Sequence, residues 1–231
     1  ICTYTQSGTG WNVIADDNCT VSLIEYILTG VTTGTVNSLD GVVFNKGVTN
    51  INVIVYDGAA TPNTNTSCSY SVTVSDNENP TVTCPSNIAV NNDNDDCNSV
   101  VTIPEITFGD NCTGATLAWS TSGATEISGS GQPGQQTFNT GVTTVTFTVT
   151  DAATKTATCN FTVTVTDNQL PEITCPDNIS QNNDNGNCSA SVAIPAVVFD
   201  DNCAGSAISW STTGATTING TGQPGTKTFN V

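Results

Sequence analysis

Acidic side chains are concentrated in short polar turns that stand between runs of alternating valine and threonine. The turn from Ser75 to Pro80 recurs as Thr166 to Pro171, and each copy ends in a proline that fixes the start of a new strand. Loose clusters of carboxylate, amide and carbonyl oxygens suit calcium, whereas magnesium demands a stricter geometry. Calcium binding is therefore the first chemistry that these turns indicate.

The places of the turns relative to the predicted strands decide which carboxylates can meet. In a domain whose first strand enters at one pole and whose last strand leaves at the other, successive turns alternate between the poles. Carboxylates that converge without a basic residue repel one another unless a cation bridges them, so we predict calcium at two junctions. The alternative is that Asp and Asn only cap their own turns, or keep a large surface protein soluble. The first junction would gather Asp76, Glu78, Asp110 and Asp151, and the second would gather Asp93, Asp95, Asp96, Asp167, Asp200 and Asp201.

The composition excludes several classes of function. The 231 residues carry 20 acidic side chains against three lysines, without histidine, for a formal charge of −17. Such a chain cannot neutralise phosphates, so we expect neither nucleic acid nor an anionic membrane surface as a partner. No stretch approaches the apolar length of a membrane span, so no membrane insertion is expected in this segment. Without histidine there is no ordinary catalytic triad, and we expect no enzyme.

Ten cysteines at recurring spacings, without a CxxC pair, favour disulfide bonds over zinc or redox chemistry. Disulfides in turn indicate an oxidising compartment, and we predict an extracellular protein at the cell surface. By the alternation of the first and last predicted strands, Cys84 and Cys159 both point inward, and both lie near the same pole of the domain. We predict a bond between them, which in the chain-entropy model stabilises by roughly 4 kcal/mol.

Cys97 and Cys112 are separated by a predicted strand of about a dozen residues, which is too long for bridged Cα atoms that must lie within about 7 Å. Cys97 and Cys203, by contrast, stand at facing poles of successive domains. One hypothesis is therefore an interdomain bond from Cys97 to Cys203 and, by repetition, from Cys2 to Cys112. The other is a local bond between Cys97 and Cys112, made possible if the strand folds back.

An internal period organises the chain, because Cys84 and Cys175, like Trp119 and Trp210, stand 91 positions apart. We predict three tandem repeats from this period. Because both ends fall inside a repeat, we also expect the chain to be a segment of a longer polypeptide. The predicted repeats are 1–76, which lacks its first strand, 77–167, which is complete, and 168–231, which lacks its last two strands.

Hydrophobic alternation predicts antiparallel strands in the middle repeat. About seven short strands in about 90 residues, with Trp119 in the core rather than stacked on a sugar, predict an immunoglobulin-like β-sandwich. The fold class is thus all-β, with tandem immunoglobulin-like domains in an elongated array. The predicted elements are a first strand over 82–90 broken at Pro85, a second over 98–108 with a bulge at Pro104, a third around Leu117 and Trp119, a long glycine-rich turn over 128–136, and two strands that end near Val149 and Val165.

The middle repeat also carries a set of short motifs: Thr-Cys-Pro at 83–85, Asp-Asn-Cys at 110–112, Phe-Asn-Thr-Gly-Val-Thr-Thr-Val at 138–145 and Val-Thr-Asp-Ala at 149–152. This set resembles the hyalin repeat (HYR), in full in the middle copy and in part elsewhere in the chain. The resemblance implies an extracellular adhesion protein, since such repeats occur in animal adhesion proteins and in giant surface adhesins and filaments of bacteria, including gliding ones. The Asn- and Thr-rich, arginine-free composition is more similar to the bacterial arrays.

We therefore predict a stalk or filament segment of an extracellular adhesin, which spaces and stiffens a cell-surface fibre through junctions braced by calcium and disulfides. Its expected partners are the neighbouring repeats of the same long chain, with a surface glycan or protein bound at a tip outside this segment. One alternative is an adhesion module that binds a glycan or protein directly through its loops. Another is a fibre subunit that polymerises by strand exchange.

Overall fold

The computed structural model describes residues 2–18, 20–59 and 64–231. Every regular element in these ranges is a β-strand, and the strands form several sheets, which confirms the predicted all-β class. The chain divides into two compact units, and the middle part of the sequence contributes to both. One unit comprises 1–83, 107–118 and 147–159, and the other comprises 84–106, 119–146 and 160–231. The division into three sequence repeats stays a prediction.

The N-terminal part of the first unit contains two antiparallel sheets, one of four strands and one of two short strands. Its larger sheet has the strand order β3-β2-β5-β6, and β1 pairs with β4. Alternate residues of β2 and β5 point inward, and Tyr26, Ile51 and Val53 form a core with Phe44 and Leu39. The strands are β1 (Thr3–Thr5), β2 (Val21–Gly30), β3 (Gly34–Val36), β4 (Val43–Asn45), β5 (Gly47–Asp57) and β6 (Thr64–Val74).

The middle part of the chain contains nine strands: β7 (Thr81–Thr83), β8 (Ile88–Asn91), β9 (Asn98–Thr102), β10 (Thr107–Gly109), β11 (Thr116–Gly123), β12 (Ser128–Ser130), β13 (Gln135–Asn139), β14 (Gly141–Thr150) and β15 (Thr156–Thr166). Five of them form a sheet in the order β12-β11-β14-β15-β8. β8 runs parallel to β15, with Ile88 opposite Val163, whereas β7 pairs antiparallel with β10 and β9 pairs antiparallel with β13.

Two prolines divide segments that the sequence predicted as single strands, one broken at Pro85 and one with a bulge at Pro104. The predicted strand over 82–90 is β7 and β8, which lie in different sheets on either side of Pro85. The predicted strand over 98–108 is likewise β9 and β10, with Pro104 between them. Proline has no N–H to donate to a ladder, so the chain leaves one sheet at each proline and joins another. The glycine-rich turn over 128–136 was also predicted too long, because it contains β12 and the start of β13.

The C-terminal strands are β16 (Glu172–Thr174), β17 (Ser189–Ala193), β18 (Val198–Asp200), β19 (Ser209–Ser211), β20 (Asn219–Thr221) and β21 (Thr226–Asn230). They pair as β16 with β18, β17 with β21 and β19 with β20, each antiparallel. Five of them, β16, β17, β18, β20 and β21, begin 91 positions after β7, β9, β10, β12 and β13 respectively.

Trp119 is buried, as predicted, and one glycine makes its position possible. The indole is 8% exposed, and a Cβ built on Gly129 would lie 2.6 Å from Trp119 Cζ2. Gly220 has the same relation to Trp210, at 2.5 Å from Cζ2. Since only glycine leaves room for the ring, the face of Trp119 packs against backbone rather than standing open to a sugar.

Candidate metal centre

Three aspartates of the first unit, each just beyond the end of a strand, form a cluster that we call the aspartate cluster. Asp76 follows β6, Asp110 follows β10 and Asp151 follows β14. One carboxylate oxygen from each of the three lies within 4.8 Å of the other two. Asp76 and Asp151 are buried, and Asp110 is half-buried. The structure thus brings together three of the four acidic residues predicted for the first junction.

Each aspartate of the cluster is held by the backbone of its own turn. Such Asx-type bonds fix the orientation of a carboxylate and leave its second oxygen pointing elsewhere. The bonds run to Asp151 Oδ1 from the N–H groups of Ala153 (2.8 Å) and Lys155 (2.7 Å), to Asp110 Oδ2 from Cys112 N–H (3.0 Å), and to Asp76 Oδ1 from Glu78 N–H (3.3 Å).

The remaining oxygens of this loop region lack partners. Asp110 Oδ1, Asn111 Oδ1 and Asp151 Oδ2 are all buried and accept no hydrogen bond. A buried acceptor without a donor costs about 1–3 kcal/mol, and more when it is charged, so native proteins rarely leave several together. The arrangement therefore presents oxygen lone pairs that a donor or a cation would satisfy.

Lysine compensates part of the negative charge. Lys46 Nζ lies 3.0 Å from Asp76 Oδ2, the one salt bridge in the described ranges. The hydrogen bond from Lys46 lowers the pKa of Asp76 below its usual value of 3.8, although burial acts in the opposite direction. Lys155 Nζ donates to the carbonyl of Asn77 at 2.8 Å and not to a carboxylate. Asp110 and Asp151 are thus left without a cationic partner among the described residues.

Two disulfide bonds end in Asp-Asn-Cys loops. Cys2 bonds Cys112 in the first unit, with the Cα atoms 4.8 Å apart, and Cys97 bonds Cys203 in the second unit, with the Cα atoms 4.9 Å apart. These are the pairs of the interdomain hypothesis. The alternative bond between Cys97 and Cys112 does not occur, because both residues have other partners.

The other cysteines within the described ranges fall into two groups, and Cys19 lies outside those ranges. Cys84 and Cys159, which the sequence predicted to be bonded, are both in disulfides. Cys68, Cys175 and Cys188 are free and exposed.

A second acidic site with related chemistry lies in the second unit. Asp201 Oδ1 and Asn202 Oδ1 are buried without hydrogen-bond partners, as are the equivalent oxygens of Asp110 and Asn111. Asp167 Oδ1 accepts from Gln169 N–H at 3.1 Å, and Asn202 Nδ2 donates to the carbonyl of Asp96 at 2.8 Å. A cleft of about 240 Å³ is lined by Asp95, Gln169, Leu170, Glu172, Asp200, Asp201 and Asn202.

Several predicted ligands instead hold their own loops together. Both carboxylate oxygens of Asp93 accept bonds, from Ser99 Oγ and from Val100 N–H, each at 3.0 Å. Asp95 has φ of 63°, and its Oδ1 accepts from Gln169 Nε2 at 3.1 Å. Asp200 Oδ1 accepts a hydrogen bond from the N–H of the next residue, Asp201. Asp96 and Glu78 form hydrogen bonds through their backbone: the Asp96 carbonyl accepts from Asn202, and the Glu78 N–H donates to Asp76.

The sequence reasoning did not single out Asn111, Asn202 or Lys46, although Lys46 contacts Asp76 and the side-chain oxygens of the two asparagines are buried without partners. It counted only acidic side chains as ligands, although the recurring Asp-Asn-Cys motif places an amide oxygen beside each aspartate. The signal was therefore present in the repeated motif. Lys46 could not be found in this way, because residue 140, its counterpart in the predicted middle repeat, is a threonine.

Comparison with known proteins finds one similarity, in the middle of the chain. Residues 75–165 match the model of the HYR domain. This range contains Asp76, Asp110 and Asp151, so the whole aspartate cluster lies within the matched segment. No curated protein matches the chain. No helix that is long and apolar enough to cross a membrane occurs in the part of the chain that the structure describes.

Proposed function

We propose that the chain is a structural segment of an extracellular adhesin, a spacer that carries tension in a cell-surface stalk or filament. The observation that carries this proposal is the pair of disulfides from Cys2 to Cys112 and from Cys97 to Cys203. Their sequence separations of 110 and 106 residues both exceed the 91-residue period. On the predicted repeat boundaries, each bond therefore ties one repeat to the next.

Such bonds suit a spacer better than a catalyst or a binding module. Neighbouring domains in one chain move relative to each other by default, unless a large or covalent contact joins them. Bonds that recur at equivalent loops restrict that motion at every junction. A recognition module needs one distinctive loop set, whereas here the same loops recur, and we propose no catalytic role.

The setting of the proposal has two further supports. The HYR domain that matches residues 75–165 is a family associated with adhesion at cell surfaces. Disulfide bonds in both compact units are those of a protein that folds in an oxidising compartment. Both observations favour an extracellular location. The neighbouring repeats of a longer chain would be the main partners.

Immunogold electron microscopy of the source cells tests the proposal. Antibodies raised against the 231-residue chain should label positions along extracellular filaments. Label confined to filament tips would instead favour the adhesion module that binds a glycan or protein through its loops. Label inside the cells would refute the extracellular assignment altogether.

A further inference from the structure

We propose that the aspartate cluster is a calcium site, in which Asp76, Asp110 and Asp151 are the charged ligands and the side-chain oxygen of Asn111 is a neutral one. The inference rests on the proposed function only for its extracellular setting, where modules bind calcium with dissociation constants of about 10⁻⁴–10⁻³ M. The geometry itself is independent of that setting.

The buried and unpartnered oxygens point to a ligand, beyond the mere gathering of acids. Asp151 is 5% exposed and its Oδ2 has no hydrogen-bond partner, although its Oδ1 accepts two. Asp110 shows the same division between a bonded Oδ2 and an unpartnered Oδ1. An aspartate that only stabilises its own turn needs just one of its two carboxylate oxygens for this. The second oxygens are therefore oriented but unused, and they belong to residues whose carboxylates lie within 4.8 Å of one another.

The charge of the cluster favours a cation at this place. Three carboxylates at this separation repel one another strongly, and the repulsion is larger where water is excluded. Lys46 compensates one of the three charges through Asp76. Two charges remain, and a divalent cation would neutralise them.

The donor set selects calcium among the divalent ions. Every available ligand atom is an oxygen, from carboxylate or amide, and the chain has no histidine. Cys2 and Cys112 lie near Asp76 but are bonded to each other, so neither offers a thiolate for zinc. Calcium accepts six to eight oxygens in a flexible shell, whereas magnesium requires a near-ideal octahedron. The ligands come from three turns that follow separate strands, an arrangement that suits the flexible coordination shell of calcium.

The second acidic site should bind more weakly. Asp167, Asp201 and Asn202 repeat part of the donor set, and two of their oxygens are unpartnered. The described residues of the second unit place no third aspartate with them in a cluster of the kind that Asp151 completes. We therefore expect one stronger calcium site per chain.

Calorimetry of the oxidised 231-residue chain tests the inference. Titration with calcium chloride should release or absorb heat with a stoichiometry near one, and calcium should raise the unfolding temperature relative to a chelator. Magnesium at the same concentration should raise it less. The proposal is overturned if calcium produces neither heat nor a shift, and the choice of calcium is overturned if magnesium shifts the unfolding temperature equally.

The variant Asp110→Asn separates a ligand from a merely structural residue. Its amide oxygen can still accept from Cys112, while one of the repelling charges is gone. In chelator its unfolding temperature should equal or exceed that of the parent chain, and its calcium affinity should fall about tenfold or more. Asp151→Asn should behave alike. Asp177→Asn, at an exposed position, is the matched control and should change neither value.

A variant that loses stability equally with calcium and with chelator would refute the ligand role. This result would leave the immunogold test untouched, because label along filaments does not depend on a metal. Failure of the calcium site and failure of the stalk assignment are thus distinguishable.

Discussion

The two long disulfide loops overlap, and this overlap predicts how far the chain can be stretched. Cys97 precedes Cys112 in sequence, so the loop from Cys2 to Cys112 and the loop from Cys97 to Cys203 share the segment between them. The shortest covalent path from Cys2 to Cys203 crosses the first bond, runs back from Cys112 to Cys97, and crosses the second bond. That path contains 112 minus 97, or 15, residue steps. In the reduced chain the path contains 203 minus 2, or 201.

The difference is large enough to measure on single molecules. At roughly 3.5 Å per extended residue, the reduced segment spans about 700 Å and the oxidised segment about 50 Å. When a chain tethered at its two ends is unfolded by force, the oxidised form should therefore reach a fully extended length about 650 Å shorter than the form treated with a reductant. The chain outside this segment contributes equally in both states.

Variants assign the difference to particular bonds. Replacing Cys2 and Cys112 by serine leaves 97 minus 2, or 95, steps before the second bond, so the oxidised variant should extend about 280 Å further than the parent chain. Cys175→Ser, which alters a free and exposed cysteine, is the control and should change nothing. If Cys97 bonded Cys112 instead, the predicted bond between Cys84 and Cys159 would still remove 159 minus 84, or 75, steps. The oxidised chain would then be only about 260 Å shorter than the reduced chain, and a result of that size would refute the overlapping loops.

Two further predictions concern the packing of the core and the stability of the fold at alkaline pH. Gly129→Ala should cost about 1–3 kcal/mol in urea unfolding, because its Cβ would lie 2.6 Å from Trp119. Gly10→Ala, with nothing within 4 Å, should cost far less, and equal losses would contradict the packing argument. Burial, followed by the proximity of Tyr26 and Cys68, raises the pKa of Tyr70 to about 12. Its contribution to stability is present below its ordinary pKa of 10 and is lost as the pH rises through 12. Tyr70→Phe should therefore lose less stability than the parent chain between pH 10 and 12 in urea titrations, and an unchanged loss would refute this assignment.

The sequence predicted the long strands well and the short ones poorly. Val145, Phe147 and Val149 are fully or almost fully buried in β14, because a half-buried strand needs strict alternation over many residues. β7 and β10 have only three residues each, too few for alternation to show. Pro85 and Pro104 were correctly seen as interruptions, but sequence alone could not show that the chain changes sheets there. That choice depends on which ladder has a free edge.

The candidate site was predictable where spacing decides proximity and unpredictable where side-chain geometry does. The three aspartates of the cluster follow the ends of strands that belong to three different sheets, and the alternation of turns between poles was enough to predict that they meet. Asp93 lies in a turn that is as rich in Asp and Asn as the turns of the cluster. Both of its carboxylate oxygens nevertheless accept hydrogen bonds from Ser99 and Val100. Whether a carboxylate closes its own loop or faces a neighbour depends on backbone angles that sequence does not reveal. Asn111 is the opposite case to Asp93, because its side-chain oxygen is buried and accepts no hydrogen bond.

The parallel pairing of β8 with β15 bears on mechanical resistance. Tension applied to the start of β8 and to the end of β15 pulls the two strands in opposite directions along their common axis. The hydrogen bonds between residues 88–91 and residues 163–166 are then loaded in shear. They must all yield together, whereas an antiparallel hairpin pulled at its open end would unzip bond by bond. The parallel pair of β8 and β15, which lies almost wholly within the segment that matches the HYR domain, thus resists shear when those two ends are pulled apart.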